Sequence, residues 1–450
     1  VSGRFDGERV VVVGAGVAGS SAARVLAAEG ATVRVTEARP ASDLSTVAAL
    51  RDAGVEILTG GHEPEHLQDA TLVVTGPGVP ETAPVIAWAR ERGLPIWSEM
   101  ELGARLTDAP YLAVTGTNGK TTTTGMIEAC LRADGVDAVA CGNIGHPFPE
   151  AAREGHEVLV VECSSFQLRM QGSFHPRISV LLNLAPDHLD EHGSFEAYAD
   201  AKARIFALQG PGDTHVGNRD DPAASARSAD APCDVVWFRA GAPGAGEVGY
   251  DHGDLVSNLA SERVPLGRIE GTAGKLADAA AAAAAALTFG VTARGVRDGL
   301  EGYDSAPHRG QIAAVVEGVT FIDDSKATNV HAALAAIDGV EDAVLIAGGM
   351  AKGVDLSPLA TRAGRLRAVV AIGEGAADLV RVFDGVRPVH IASSIEHAVG
   401  TAFELARPGG RVLLAPACAS WDQFRDYAER GDRFTAAARG LEREVSAGGQ

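Results

Sequence analysis

The string "VTGTNGKTTTT" at residues 114–124 sets a lysine and a run of hydroxyl side chains directly behind a glycine turn. That is phosphate chemistry. Backbone N–H groups of the turn face an anion, the Lys120 ammonium neutralises β- and γ-phosphate charge, and the Thr121 hydroxyl can enter the shell of a magnesium ion. The common spelling of such a loop, G-x-x-x-x-G-K-[ST], asks for glycine at 114. Val114 stands there instead, and the nearer glycine leaves a tighter string of Gly116, Thr117, Asn118, Gly119, Lys120 and Thr121, followed by Thr122. A second glycine turn comes earlier, "GAGVAG" at 14–19. It fits G-x-G-x-x-G after an apolar strand and before a helix, with Glu37 ending the next strand where a ribose-binding carboxylate is expected. Three readings fit it: a nicotinamide or flavin dinucleotide, a turn needed only for packing, or another diphosphate at a helix N-terminus. With a phosphate turn downstream, hydride transfer is the weaker expectation.

Further candidates follow that turn. In "VVECSSFQL", Glu162 ends an apolar run. It is either a solvated strand end or a carboxylate for magnesium, which typically takes one or two carboxylates besides phosphate oxygens. In "NLAPDHLDEHGSFEAYADAKARIF", Asp187, His188 and Asp190 cluster, and Lys202 sits on a following helix. By residue type these are a loop hydrogen bond or a metal ligand, and a surface charge.

The bulk numbers bound the answer. The chain has 450 residues, 46% of them hydrophobic, which is long enough for two to four domains with real cores. A formal net charge of −20 and no concentrated basic patch point away from nucleic acid. Five scattered cysteines with no C-x-x-C pair read as reduced thiols, without a disulfide framework or zinc site. No basic-then-apolar leader is evident, and the longest apolar run, the alanines 279–286 with Leu287, is too short to span a membrane. A soluble, cytoplasmic protein is expected.

The elements that must position these residues read as repeated strand–turn–helix units. "RVVVVGAG", "ATVRVTEARP" and "DATLVVTGPGVP" open the first set, and "YLAVTGTNGK", "EVLVVECSS" and "ISVLLNL" the second. A Gly/Pro-rich stretch at 210–270 holds short strand candidates such as "CDVVWFRA", and an alanine-rich helix is predicted over 275–289. "GVTFIDDSKATN", "DAVLIAGGMAKG", "RAVVAIGEG" and "GGRVLLAPACAS" form the third. The expectation is an α/β chain of three doubly wound domains, bounded as 1–107, 108–305 and 306–450.

Six strings taken together, "GTNGKTTT", "GNIG" (142–145), "ECSSFQL", "NLAPDHLDEHGS…YADAK", "DDSKATN" and "PACASWDQF", resemble the Mur ligase family over essentially the whole chain. The last two are most similar to its D-glutamate-adding branch. The resemblance implies a Rossmann-like UDP-binding domain, a central P-loop ATPase domain and a C-terminal Rossmann-like domain for the amino acid. It implies ATP and Mg²⁺, and as substrates UDP-N-acetylmuramoyl-L-alanine and D-glutamate, joined through an acyl phosphate by a monomer without nucleic-acid or membrane partners. The family's shortened phosphate loop matches 116–121. By the same resemblance Lys120 contacts the γ-phosphate, and Thr121 and Glu162 hold one Mg²⁺. Lys202 is carbamylated and holds a second with His188. Arg309 and Asp324 face the nucleotide. Val17, Ala18, Glu37, Arg39 and Gly76 hold the UDP moiety, and Asn143 and His188 the muramoyl part. Lys326, Thr328, Lys352, Ser420 and Tyr427 hold the amino acid.

The chain departs from the family at two places. Gly76 stands where serine is common, and Ala273, Gly274 and Ala277 replace a histidine and two adenine-contacting asparagines. These departures keep two alternatives in view: a paralogous ligase with another amino acid or carboxylate, and a catalytically silent nucleotide-binding regulator.

Overall fold

The computed structural model describes residues 3–260, 262–270, 272–304, 307–351 and 353–448, with side chains as far as residue 443. By contact density the chain forms two compact units. One comprises Val1–Leu184, Glu196–Ile269 and Ala277–Tyr303. The other comprises Ala185–Phe195, Glu270–Leu276 and Asp304–Gln450. The segment with Asp187, His188 and Asp190 therefore groups with the C-terminal unit.

The first unit holds two sheets. Strands β1 (Arg9–Val13), β2 (Thr32–Glu37), β3 (Glu56–Thr59), β4 (Leu72–Thr75) and β5 (Ile96–Ser98) form a parallel sheet of order β3-β2-β1-β4-β5. Apolar runs such as Val10–Val13 suit it because both faces are covered. Val10 and Val12 enter one core cluster and Val11 and Val13 another. Order reverses between β1 and β4, and at such a switch point ligands bind beyond the strand ends.

The second sheet has nine strands. These are β6 (Tyr111–Thr115), β7 (Ala138–Gly142), β8 (Val158–Glu162), β9 (Ile178–Leu181), β10 (Thr214–Asn218), β11 (Asp234–Phe238), β12 (Glu247–Asp251), β13 (Asp254–Ser257) and β14 (Val264–Arg268). Their order is β14-β13-β12-β11-β10-β9-β6-β8-β7. β7 to β12 are parallel, whereas β12, β13 and β14 form an antiparallel meander. That meander departs from pure double winding. Its cause is local: His252 and Gly253 both take positive φ, 52° and 89°, as a tight two-residue hairpin requires. The Gly/Pro-rich stretch thus carries the strands β10 to β14 and a short helix, Pro222–Ser228.

The alanine-rich helix spans Ala273–Phe289, two residues earlier at its start than the pattern suggests, and Ala279–Ala286 are all 0% exposed. The helix Ala293–Glu301 packs on Lys120–Ala133, and Gly299 makes that approach possible. A β-carbon on Gly299 would lie 2.5 Å from Cys130 Cα.

The second unit holds β15 (Gln311–Val316), β16 (Val319–Asp323), β17 (Ala343–Gly348), β18 (Leu366–Ile372), β19 (Val389–Ile391) and β20 (Arg411–Leu414), in the order β15-β16-β20-β17-β18-β19. All neighbours are parallel except the β15–β16 hairpin. Both faces are again covered, with Val344 and Ile346 in one cluster and Ala343, Leu345 and Ala347 in the other.

Gly299→Ala should destabilise the first unit by roughly 1–3 kcal/mol, because the methyl meets backbone that cannot rotate away. Urea unfolding measures it; wild-type stability would mean that the two helices separate freely.

Candidate functional site

β6, buried along its length, delivers the chain into the phosphate-type turn. Gly119 takes φ +84 and precedes the helix Lys120–Ala133, and a β-carbon there would lie 2.1 Å from Asp278 Oδ1. A β-carbon on Gly116 would lie 2.8 Å from Leu182 Cβ. One glycine is required by conformation and space, the other by space alone. Asn183 clamps the turn. Its carbonyl accepts from Thr117 N at 2.9 Å, its Oδ1 accepts from Asn118 N at 2.9 Å, and its Nδ2 donates to Asn118 O at 3.1 Å.

Two side-chain amines meet at the same carbonyl. Lys120 Nζ donates to Gly116 O at 3.0 Å and to Thr117 O at 2.9 Å. Lys202, only 2% exposed, donates from Nζ to Gly116 O at 2.8 Å. Tyr198 carries Lys202 over its ring, at 4.8 Å, and its hydroxyl hydrogen-bonds Thr117 Oγ1 at 3.0 Å. Positive charge concentrated beside a glycine turn suits an anion.

Around the first glycine turn lies a cavity of about 680 Å³, lined also by loops following β2, β3, β4 and β7. Each glycine of the turn has its own reason. Gly14 takes φ +92, a β-carbon on Gly19 would lie 2.1 Å from Gly14 O, and one on Gly16 would meet nothing within 4 Å, which leaves the cavity open to a ligand. Glu37 braces the turn, accepting from Ala15 N at 2.8 Å, from Arg39 N at 3.0 Å and from Arg39 Nη2 at 3.0 Å. Burial opposes its charge, but these hydrogen bonds, led by the Arg39 side chain, outweigh it and bring its pKa down to about 2. The pair therefore stays ionised at neutral pH. Val17 and Ala18 also line the cavity, at the start of the helix Val17–Ala28. At Gly76 a β-carbon would meet only ordinary contacts, 3.7 and 3.8 Å away, so the site lacks a hydroxyl there but not the room for one.

The two turns are joined through one carboxylate. Asn143 lines the cavity and donates from Nδ2 to Glu162 Oε1 at 2.8 Å, and Thr121 Oγ1 donates to Glu162 Oε2 at 2.8 Å. Gly142 permits the approach, because a β-carbon on it would lie 2.4 Å from Glu162 O. A brace supports this corner from the first sheet. Gln167 Nε2 donates to Glu99 Oε1 at 2.5 Å, and Gln167 Oε1 accepts from Ser164 N at 2.7 Å. Full burial raises the Glu99 pKa to about 7 against the pull of that hydrogen bond.

Thr121, in the first turn of the phosphate-turn helix, and Glu162, at the end of β8, are hard oxygen donors. Among the described residues no group of three or more His, Cys, Asp or Glu is arranged to hold a metal by itself. The pair fits a magnesium that takes its remaining ligands from phosphate oxygens and water, as magnesium usually does.

The second unit gathers another set. Arg430 is 0% exposed and donates to Ser325 Oγ at 3.0 Å, Ser325 O at 2.8 Å and Cys418 O at 3.2 Å. Desolvation lowers its pKa to about 10. It ties the "DDSKATN" segment to the "PACAS" segment. Lys326 Nζ lies 3.6 Å from the centroid of the Tyr427 ring, while Thr328 N donates to Lys326 O at 2.7 Å and Ser420 is buried. Burial, reinforced by Asp323 and opposed by Arg309, raises the Asp324 pKa to about 7. His188 takes φ 53 with its N–H donated to Asp187 Oδ1 at 3.0 Å, and Asn329 Nδ2 reaches Asp187 Oδ2 at 3.4 Å. Lys352 lies outside the described residues. Ala273 and Gly274 are exposed on the first turn of the alanine helix.

Sequence reading missed Asn183, Tyr198, Gln167, Glu99 and Arg430 as parts of these sites. Asn183, Gln167 and Tyr198 lie within the strings "NLAPDHLDEHGS", "ECSSFQL" and "YADAK", whereas Glu99 and Arg430 lie in none of the six.

Comparison with known proteins adds a separate line of findings. Residues 8–98 match the Mur ligase MurD-like N-terminal domain, 114–258 the Mur ligase middle domain and 308–418 the Mur ligase glutamate ligase domain. The chain is 45% identical over 453 residues to a UDP-N-acetylmuramoylalanine--D-glutamate ligase of Frankia casuarinae, covering 97% of this chain and 95% of that one. It is 41% identical to the protein of that name from Thermobifida fusca, covering 97% and 99%. Among solved structures it is similar to the UDP-N-acetylmuramate-alanine ligase MurC of Thermotoga maritima, with TM-score 0.60, 19% identity and coverage of 96% and 99%. It is also similar to the MurF ligase of that organism in complex with ADP, with TM-score 0.61, 17% identity and coverage of 92% and 95%. At those identities the structures speak for the fold alone.

Asn183→Ala removes the two side-chain contacts of the clamp on the phosphate-type turn, keeps the backbone one, and leaves the cavity around the first turn untouched. ADP affinity, measured by calorimetry, should fall about tenfold, the worth of one net hydrogen bond. Unchanged affinity would show that the turn holds its shape without the clamp.

Proposed function

The chain belongs to the Mur ligase family, and from that premise we propose that it joins D-glutamate to the alanyl carboxylate of UDP-N-acetylmuramoyl-L-alanine, with ATP converted to ADP and phosphate. The reaction belongs to the synthesis of peptidoglycan precursors, and we place it in the cytoplasm. Among the described residues no helix is long and apolar enough to cross a membrane. The single observation that carries this reading is the Glu162 carboxylate shared between Asn143, on the wall of the first cavity, and Thr121, behind the phosphate turn. An enzyme that activates a carboxylate with ATP needs its two substrates side by side, and this contact supports such an arrangement because it links the two turns proposed to hold them.

The proposed course is as follows. Gly14–Gly19 and the helix behind them hold the diphosphate of the UDP handle, so that the acyl end extends towards Asn143. Gly116–Thr121 hold the phosphates of ATP. The alanyl carboxylate attacks the γ-phosphorus, giving an acyl phosphate and ADP. The D-glutamate amine, gripped through its carboxylates by Lys326, Thr328, Lys352, Ser420 and Tyr427, adds to the acyl carbon, and phosphate leaves as the amide forms. Lys120 offsets charge on the transferring oxygens, the largest kind of contribution in such chemistry. Thr121 and Glu162, and His188 with Lys202, would hold magnesium, which would supply Lewis-acid polarisation of the phosphoryl oxygens. Arg309 and Asp324 serve the nucleotide.

Carbamylation of Lys202 belongs to this proposal, and the geometry supports it. Its Nζ and that of Lys120 both lie within 3.0 Å of Gly116 O, two like charges at one oxygen. Converting one to a carbamate replaces that repulsion with attraction and supplies an oxygen ligand. The functional segments 1–107, 108–305 and 306–450, and a monomeric state, complete the proposal.

Phosphate release from ATP should require UDP-N-acetylmuramoyl-L-alanine and D-glutamate together; release with either alone, or preference for another amino acid, would overturn the assignment. Lys202→Ala should lose roughly a hundredfold in kcat and recover part of it with a short-chain carboxylate. Full activity in that variant would remove the carbamate from the mechanism.

A further inference from the structure

Glu99 is a buried acid that the proposed reaction leaves unused. It opens the helix Glu99–Leu106, is 2% exposed, and stands behind the wall of the first cavity. That wall is thin. A pocket of about 10 Å³ bordered by Glu99 shares Gly76, Pro77, Val79 and Gln167 with the large cavity.

The hydrogen bonds fix where a proton on Glu99 must sit. Ser164 N donates to Gln167 Oε1 at 2.7 Å and Ser164 Oγ accepts from Gln167 N at 3.3 Å, so the Gln167 amide is held with its oxygen towards Ser164. Its Nε2 is thereby turned to Glu99 and donates to Oε1 at 2.5 Å. Oε1 is the acceptor in that contact, so an acid proton belongs on Oε2. Oε2 is enclosed and has no hydrogen-bond partner. A carboxylate with one oxygen unmet in a dry site is costly unless it is neutral.

No cation among the described residues offsets it. On the short helix Ser165–Arg169, Arg169 reaches Glu81 at 3.7 Å and lies over the Phe166 ring. Glu81, on the loop after β4, is also paired with Arg90 at 3.1 Å. On the helix of Glu99 itself, Glu101 is met by Arg105 and Ser173. The helices Val17–Ala28 and Phe148–Ala151, which pack on it, bring only Arg24 and Glu150, and these pair with each other. Strands β4 and β5 add no charge. Cys163, just past β8, stays a thiol through burial. Burial acts on Glu99 in the same sense, bringing it up to about 7 against its hydrogen bond from Gln167.

We propose that Glu99 is a positioning residue kept as a neutral acid with its proton on Oε2, and that loss of this proton weakens binding of the UDP-linked substrate. The proposal rests on the reading of the first cavity as the site of that substrate. The ligand carries a diphosphate and a carboxylate, and an ionised Glu99 sets a bare like charge one residue behind the wall they meet, where little water screens it. The neutral acid holds the Gln167 amide in place without that repulsion.

Calorimetric titration of the full chain with UDP-N-acetylmuramoyl-L-alanine between about pH 6 and about pH 9 tests this. In wild type the affinity should fall about tenfold across that range. Binding at the alkaline end should take up as much as about one proton, read from the dependence of the heat on the buffer. Glu99→Gln keeps the acceptor for Gln167 and cannot ionise. It should match wild type at the acid end, hold its affinity to the alkaline end and take up no proton there. Melting gives a readout without ligand. The acid loses its proton near 4.5 when unfolded and near 7 when folded, so wild type should lose stability relative to Glu99→Gln as pH rises through that interval and keep a constant deficit above it. Equal affinities of the two proteins at every pH overturn the proposal. So does a Glu99→Gln protein that binds more weakly throughout, which would make Glu99 a packing residue. Absence of proton uptake by wild type overturns it without any variant. If wild type binds no UDP-N-acetylmuramoyl-L-alanine at any pH, the reading of the cavity fails and the proposal with it, even where the melting difference is found.

Discussion

The two glycine-turn regions of the first unit are tied together by one buried carboxylate. Glu162 sits at the end of β8 with 2% exposure and divides its two oxygens between Thr121 and Asn143. A carboxylate in that setting is stable only if its lone pairs are met, and the groups that meet them come from the two ligand-binding regions. The constraint runs outward from there. Gly142 must lack a side chain so that the Asn143 loop can close on the strand, and Ser164 must start its short helix at once so that Gln167 can reach Glu99. The first sheet and the second are thereby held in register at the point where a phosphoryl group would change partners.

The second unit solves a comparable problem with a cation. Arg430 has neutral oxygens around it, from Ser325 and Cys418. An arginine so placed is costly to bury, and burial already depresses its pKa. What it secures is the approach of two loops that are far apart in the chain. Its rigid fork suits that task better than a lysine, because several donors leave it at fixed angles.

The legible parts of this molecule were those whose meaning is local. A glycine turn between a strand and a helix, with lysine and threonine behind it, is a consequence of backbone geometry, and its chemistry can be read off adjacent letters. Three α/β sheets followed from the alternation of apolar runs and helices. The meander β12–β14 was hidden because it depends on two positive-φ residues at 252–253, and "HG" is a weak signal for such a turn. The roles of Asn183, Gln167 and Arg430 were illegible for another reason: each acts on residues 65, 68 and 105 positions away, respectively, so even a polar letter ending an apolar run does not say what it holds.

The alanine helix behind the phosphate turn carries a consequence for how the gene can change. Ala279–Ala286 are wholly enclosed, and a single base change in an alanine codon yields only Gly, Val, Thr, Ser, Pro, Asp or Glu. Valine and threonine overfill the space, glycine and proline weaken the helix, and serine, aspartate and glutamate bury polar groups. Every one-step neighbour of this stretch is therefore a worse sequence. Drift that is free on the exposed faces of the molecule has no downhill or level path here, so the segment should behave as a fixed point of the protein's mutational landscape although it contributes no functional group at all.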